Sequence, residues 1–127
     1  MIKAAAKATK DISAPPLVPS EPVIDLVHLG RMTLGEKSLE AEVLALFDRQ
    51  ADMLLTRMRQ ARPAAAAAFA HTIKGSARGI GAWRVAEAAE VVERAATDPA
   101  GLPDAVARLA AAIGEARAAI AETLAAR

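Results

Sequence analysis

The chain has no cysteine and no tyrosine, and two phenylalanines and one tryptophan are its only large aromatic residues. Without cysteine there can be no disulfide, no thiolate metal site and no thiol nucleophile, which fits a reducing compartment. Neither sign of charge dominates: 16 basic and 15 acidic side chains leave a formal charge of +1. No global field of the kind that holds a protein on nucleic acid is therefore present, and no nucleic-acid partner is expected. Long apolar runs are also missing. The longest, Ala64 to Ala70, is far short of the roughly 20 residues that span a bilayer. The N-terminal lysines are not followed by a continuous apolar segment, so no secretory signal is expected. These absences lead to the expectation of a soluble cytoplasmic protein without a membrane partner.

What is abundant is alanine. Hydrophobic residues make up 54% of the 127 positions and aromatics 2%, and alanine, which fills most of the difference, has the highest helix propensity of all residues. The length suits one compact domain. Thin, closely packed helices are expected.

Residues 1–20 mix alanine and lysine with prolines at 15, 16 and 19 and have no periodicity that could bury a face. They read as a flexible N-terminal arm, leaving 21–127 as the folded domain. Glu21 to Leu29 can form a short helix with Pro22 in its first turn, followed by a connection bracketed by Gly30 and Gly35. From Glu36 to Gln60, the residues Leu39, Val43, Leu46, Phe47, Met53 and Leu54 recur near helical steps and are expected to face a core. A third helix runs from Pro63 to Ile80 with Ala66, Phe69, Ile73 and Ile80 inward. A fourth covers Ala82 to Ala96 with Val85, Ala88, Ala89 and Val92 inward. After the break at Thr97 to Gly101, a last helix carries Val106, Leu109, Ile113, Ile120 and Leu124. No stretch alternates with period two, so strands are not indicated. The fold class expected is all-α: an antiparallel four-helix bundle with a short additional N-terminal helix.

Two motifs overlap in Ala70-His71-Thr72-Ile73-Lys74-Gly75-Ser76-Ala77-Arg78-Gly79-Ile80-Gly81. The glycines at 75, 79 and 81 have the G-x-x-x-G-x-G spacing of short-chain dehydrogenases. That fingerprint works only where a buried strand delivers the chain to a turn and the next helix points its N-terminus at a pyrophosphate. Here strong helix formers precede it, Lys74 stands where that family has threonine, and the Tyr-x-x-x-Lys pair cannot exist without tyrosine. A glycine fingerprint without its strand carries little weight. Gly79 and Gly81 read instead as the end of the helix and the turn that follows.

The second motif is helical. At 100° per residue, His71, Lys74, Gly75 and Arg78 share one exposed face, extended by Ala64, Ala67 and Ala68, while Phe69, Ile73 and Ile80 lie opposite. Glycine inside a helix costs about 1 kcal/mol relative to alanine, in a chain that otherwise uses alanine freely. Gly75, one turn after His71, clears room above the imidazole, and the neighbouring alanines keep the surrounding surface low. An unperturbed imidazole is largely neutral at neutral pH and can attack phosphorus through a ring nitrogen. Lys74 can offer an ammonium to phosphoryl oxygens.

The run His71-Thr72-Ile73-Lys74-Gly75-Ser76, then Gly81-Ala82, with Glu87 or Glu93 in the next helix, resembles the H-x-L-K-G-S/A and L-G-A pattern of histidine-containing phosphotransfer (HPt) domains of bacterial two-component phosphorelays. Ile73 and Ile80 replace the commoner leucines. The likeness extends over about residues 21–127. It implies a four-helix bundle whose exposed histidine, here His71, takes a phosphoryl group from a receiver-domain aspartate or a hybrid histidine kinase and passes it to a response regulator. The resemblance further implies phosphorylation at Nε2, a lysine (Lys74) and a glycine (Gly75) that shape the site, no cofactor on this chain, and Mg²⁺ on the receiver. It implies a phosphoryl carrier with no ATP-dependent kinase activity. Histidine-kinase dimerisation domains also carry a helical histidine, but their H-E-[L/I]-[R/K]-x-P pattern is broken here by Thr72 and Ser76.

Other residues have plainer readings. His28 flanks the short first helix, Trp83 packs, and Phe47 and Phe69 belong to the core. No His-x-x-x-His or carboxylate cluster points to a metal. Arg57, Arg59, Arg62, Arg78 and Arg84 are candidates for a basic rim that steers an acidic partner. The expectation is a monomer that presents Ala67, Ala68 and Arg78 to its partner around His71. The alternative is a helical adaptor or scaffold that binds a partner without chemistry.

Overall fold

A computed structural model describes residues 22–127; the arm assigned to residues 1–20 lies outside them. Among the described residues all regular structure is helical. The elements are α1 (Leu26–Met32), α2 (Lys37–Arg59), α3 (Pro63–Ile80), α4 (Trp83–Ala95), a 3-10 turn (Pro99–Gly101) and α5 (Leu102–Ala125).

Sequence chemistry explains most of the boundaries. Asp25 caps α1 by accepting the backbone N–H of His28 at 3.0 Å, a contact type worth about 1 kcal/mol. Pro63 opens α3 where a missing N–H is harmless. Gly81 closes α3 with φ 78°, the left-handed region that glycine enters without strain.

Each of the four long helices has two long neighbours: α2 lies against α3 and α5, α3 against α4, and α4 against α5. Their shared core combines branched residues (Leu44, Ile73, Val85, Val92, Leu109, Ile113 and Ile120) with buried alanines at 51, 66, 70, 77, 86, 89, 105 and 116. Alanine on facing helices lets the backbones approach closely, as the composition predicts.

The first helix differs from its sequence reading. It starts at Leu26, three residues after Val23, leaving Pro22 outside, and it runs through Gly30 to Met32. Capping by Asp25 decides the start. Gly30 is therefore helical, and the connection to α2 begins at Thr33. The same holds for Gly79, which lies inside α3; only Gly81 terminates it.

A set of hydrogen bonds seats α1 on the α3–α4 corner. The N–H of Asp25 donates to the carbonyl of Gly81 at 3.0 Å, and His28 Nε2 donates to the carbonyl of Arg78 at 2.9 Å. Trp83 Nε1 donates to Asp25 Oδ2 at 3.1 Å, and the His28 and Trp83 rings lie 4.9 Å apart. The backbone bond from His28, then the Trp83 bond, hold the Asp25 carboxyl below the usual carboxylate range against a smaller opposing effect of burial. His28 and Trp83 are thus structural, in line with their sequence readings.

Gly81 admits no side chain. A Cβ there would stand 2.8 Å from both Cβ and the carbonyl oxygen of Asp25. Left-handed backbone alone disfavours a non-glycine residue by about 1–2 kcal/mol. Gly81→Ala is expected to lower stability by at least that much in denaturant unfolding; an unchanged midpoint would show that the close approach carries no energy.

The chain's one deeply buried carboxylate, among the described residues, has no signal in the sequence. Glu40, in the first turn of α2, is 4% exposed, with Arg127 Nη2 at 2.7 Å and Thr33 Oγ1 at 3.3 Å. The Arg127 bond outweighs burial and holds its pKa below the ordinary range. This pair fastens the end of α5 to the start of α2.

Candidate phosphotransfer site

The face predicted on α3 is present. Ile73, Ala77 and Ile80 point into the core, so the helical period turns His71, Gly75 and Arg78 outward. The His71 side chain is 72% exposed, whereas Lys74, one position round toward α4, is only 14% exposed. Ala68 is exposed and Ala67 half-buried, making the low surface on the N-terminal side of the imidazole.

A Cβ added at Gly75 would meet nothing within 4 Å. Packing therefore does not require glycine there. The same is true of Gly79 and Gly114, so it is the position one turn after His71 that distinguishes Gly75.

The structure brings a residue to His71 that the sequence could place only as one of two alternatives. Buried Ala89 and Val92 orient α4, which puts Glu93 on its edge facing α3. His71 Nδ1 lies 2.9 Å from Glu93 Oε2, and Lys74 Nζ lies 2.6 Å from Glu93 Oε1. That Oε1 atom is shielded from solvent and makes no conventional hydrogen bond among the described residues; its contact with Lys74 is an ion pair. Glu87, the other alternative, lines a surface depression with Arg84 and Trp83 instead.

Burial opposes the charge on Glu93, but the contacts with Lys74 and His71 outweigh it, so its carboxyl titrates below the usual range. A group with a depressed folded-state pKa contributes stability above the ordinary carboxylate range and loses it as pH falls through the folded value. The α3–α4 link is therefore intact at neutral pH.

An ionised carboxylate only accepts hydrogen bonds. Facing Glu93, the neutral His71 ring must carry its proton on Nδ1, which leaves a lone pair on Nε2. Nε2 has no partner among the described residues.

A family model described as the Hpt domain matches residues 42–120, more than half of the chain. The chain belongs to the Hpt domain family. The Hpt match runs from early α2 into α5 and contains all of α3 and α4, hence His71, Lys74, Gly75 and Glu93. Hpt domains are histidine phosphotransfer modules of two-component phosphorelays and act as phosphoryl carriers, not kinases. No curated protein and no solved structure gives a significant match.

Around His71, the structure revises two sequence readings. The five arginines do not make one rim. Arg62 precedes the first turn of α3 and Arg78 lies in its last turn, on opposite sides of His71, and Arg84 is engaged by Glu115 at 3.0 Å. The second revision concerns α2. Periodicity places Leu39, Leu46 and Met53 inside, but they are exposed, whereas Leu44, Ala51, Leu55 and Met58 fill the core beside Phe47 and Leu54.

With Val43 and Gln50, the exposed residues form a stripe on the α3 side of α2. It borders an open groove of about 290 Å³ lined by Leu29, Met32, Leu46, Phe47 and Gly79. Ser76 Oγ donates to Gln50 Oε1 at 2.7 Å across the groove.

No helix of the described residues is long and apolar enough to cross a membrane.

Proposed function

We propose that this chain relays phosphoryl groups through His71, accepting from a receiver-domain aspartate or a hybrid histidine kinase and donating to a response regulator. The observation that carries the reading is the exposed imidazole whose Nδ1 is engaged by Glu93 at 2.9 Å and whose Nε2 is left open on a family-matched helix. Phosphoryl transfer depends chiefly on positioning and charge stabilisation. A fixed imidazole on an accessible helix supplies the first, and the partner's Mg²⁺ supplies much of the second. No cofactor on this chain enters the reading.

Lys74 stabilises charge on the phosphoryl group, Gly75 gives access, and Ala67, Ala68 and Arg78 belong to the partner's footprint. The α2 stripe and its groove extend that footprint. A standard interface covers about 800 Å² on each partner, enough to reach from His71 across Ser76 to Leu46. The four long helices run antiparallel in this reading, which the very short α3–α4 connection at Gly81–Ala82 supports. The working unit is a monomeric domain of residues 21–127 in the cytoplasm.

Incubation with a receiver phosphorylated on its aspartate tests the proposal. The expected product is an acid-labile, base-stable phosphoprotein whose label maps to His71; a stable label elsewhere, or none, overturns it. Gly75→Gln separates access from folding. Because glycine is a poor helix former, stability should hold or rise while transfer slows about tenfold, equivalent to about 1.4 kcal/mol in the barrier. Stopped-flow or rapid-quench rates check this, and an unchanged rate removes the role of access.

A further inference from the structure

We propose that α2 is also a self-association surface: two copies of this chain pair through antiparallel α2 helices about a two-fold axis near Leu46, and the pair covers the α2 stripe. The pairing goes beyond the reading of His71 and stands without it; only its consequence for phosphoryl transfer rests on that reading. Leu39, Leu46 and Met53 are 39%, 57% and 45% exposed and stand seven residues apart. Single apolar side chains scattered over a surface are ordinary. The seven-residue step instead lays these three in one narrow seam along the helix, the form in which two α-helices pair.

The charges beside the seam point to a second copy as the occupant. Glu42 and Arg49 flank it on the edge away from Gln50, which is held by Ser76 of α3. Both are exposed, and neither has an ion pair among the described residues. The helix dipole accounts for an acid at Glu36 and a base at Arg57, the two ends of α2, but its influence falls off within one turn. Glu42 and Arg49 lie farther inside. In an antiparallel pair with Leu46 against Leu46 of the other copy, Leu39 meets Met53 and Glu42 meets Arg49, each contact occurring twice. The spacing agrees: along α2, Glu42 is about 6 Å and Arg49 about 4.5 Å from Leu46. A parallel pair would set each Glu42–Arg49 edge against the uncharged Val43–Gln50 edge of the other copy. A surface complementary to itself about a two-fold axis is what an isologous dimer requires.

The pair is weak by construction. Its seam is about 21 Å long from Leu39 to Met53 and engages far fewer than the roughly 20–30 residues a side of a standard interface. It therefore forms at high concentration and dissociates readily. While it lasts, Leu46 is covered in both copies, and neither presents the α2 stripe to a receiver. The monomer remains the unit that transfers, and the pair is chain held out of a receiver's reach.

Sedimentation velocity of the full chain over a concentration series tests the pairing, with wild type, Arg49→Glu, Glu42→Arg and the Glu42→Arg/Arg49→Glu double variant. Wild type is expected to pass from monomer to dimer below about 1 mM. Each single reversal turns two attractive pairs into two repulsive ones and should raise Kd about tenfold. An equimolar mixture of the two single variants should dimerise like wild type, because each supplies the charges that the other lacks. The double variant, with its charges exchanged, should do the same. An apolar stripe that sticks without register would not distinguish these samples. Wild type still monomeric at about 1 mM, single reversals that dimerise as wild type does, or a mixture that stays monomeric overturns the pairing. Titrating a receiver into the wild-type dimer should give complexes of one chain with one receiver, and a receiver that binds the intact dimer overturns the occlusion. Sedimentation needs no phosphoryl donor. If the charge-dependent dimer forms but His71 never accepts label, it is the phosphoryl-acceptor reading that fails.

Discussion

Replacing His71 with glutamine is expected to abolish phosphoryl transfer and to leave the fold unchanged. Glutamine has no nucleophilic ring nitrogen, so there is no atom at that place on α3 to form the P–N bond. The stability effect should be small for two reasons. The side chain is 72% exposed, and its contact with the core is slight. The glutamine amide N–H₂ can also donate to Glu93 Oε2, replacing the bond from Nδ1. Surface substitutions of this kind usually change stability by less than about 0.5 kcal/mol. Label transfer and thermal unfolding measured on one preparation check both halves. Residual transfer at the wild-type rate means that another residue accepts the phosphoryl group, and the site assignment is then wrong. Unchanged downstream output in cells expressing the variant would instead favour an adaptor that binds without chemistry.

Two leucines a half-turn apart on α2 should respond in opposite ways. Leu44 is fully buried, at 0% exposure, and Leu46 is 57% exposed beside the groove. Truncating Leu44 to alanine removes methyl groups from a close-packed core and leaves a cavity, a change that costs about 2–5 kcal/mol. Leu46→Glu should leave the unfolding midpoint near that of wild type, because the new carboxylate stays in water. Its effect falls on the partner. If the stripe carries a receiver, a charge at its centre should weaken docking by about 2 kcal/mol, the level that marks an interface hot spot, or about thirtyfold in Kd. Calorimetric unfolding separates the variants on stability and receiver titration separates them on binding. Wild-type affinity in Leu46→Glu would remove the α2 stripe from the docking surface.

The same pair of leucines shows why the sequence was legible to a limited depth. Five helical segments follow from alanine content, prolines and glycines, and all five exist, although Gly30 and Gly79, read as breaks, lie inside α1 and α3. The inward face of α3 also follows, because only one of its faces is apolar and large. On α2, two apolar stripes run side by side. One, through Leu44, Phe47, Ala51, Leu54 and Met58, fills the core. The other runs through Leu39, Val43, Leu46 and Met53, and its first three residues border the groove. Periodicity marks both equally, and only the positions of neighbouring helices distinguish them.

The candidate site was legible in the same way, within one helix and not across two. His71, Lys74, Gly75 and Arg78 share a face by spacing alone. Glu93 is remote in sequence, and α4 also offers Glu87 and Glu90 at helical intervals. The choice among them depends on how α4 is rotated against α3, which is set by burial of Ala89 and Val92. Lys74 reads as a mobile ammonium in the sequence because its partner belongs to that other helix. Glu40 escapes notice for a related reason, since its partner Arg127 stands at the far end of the chain.

The corner where α1 meets α3 and α4 has a practical use. Trp83 is the chain's only tryptophan and there is no tyrosine, so ultraviolet emission excited at the red edge of protein absorption comes from that one indole. Its N–H is bonded to Asp25 and its ring lies against His28. The emission maximum is thus a natural optical probe of α1 undocking, requiring no added dye, and α1 also borders the groove through Leu29 and Met32. Titrating a receiver while following this signal would report whether occupation of the groove disturbs the corner.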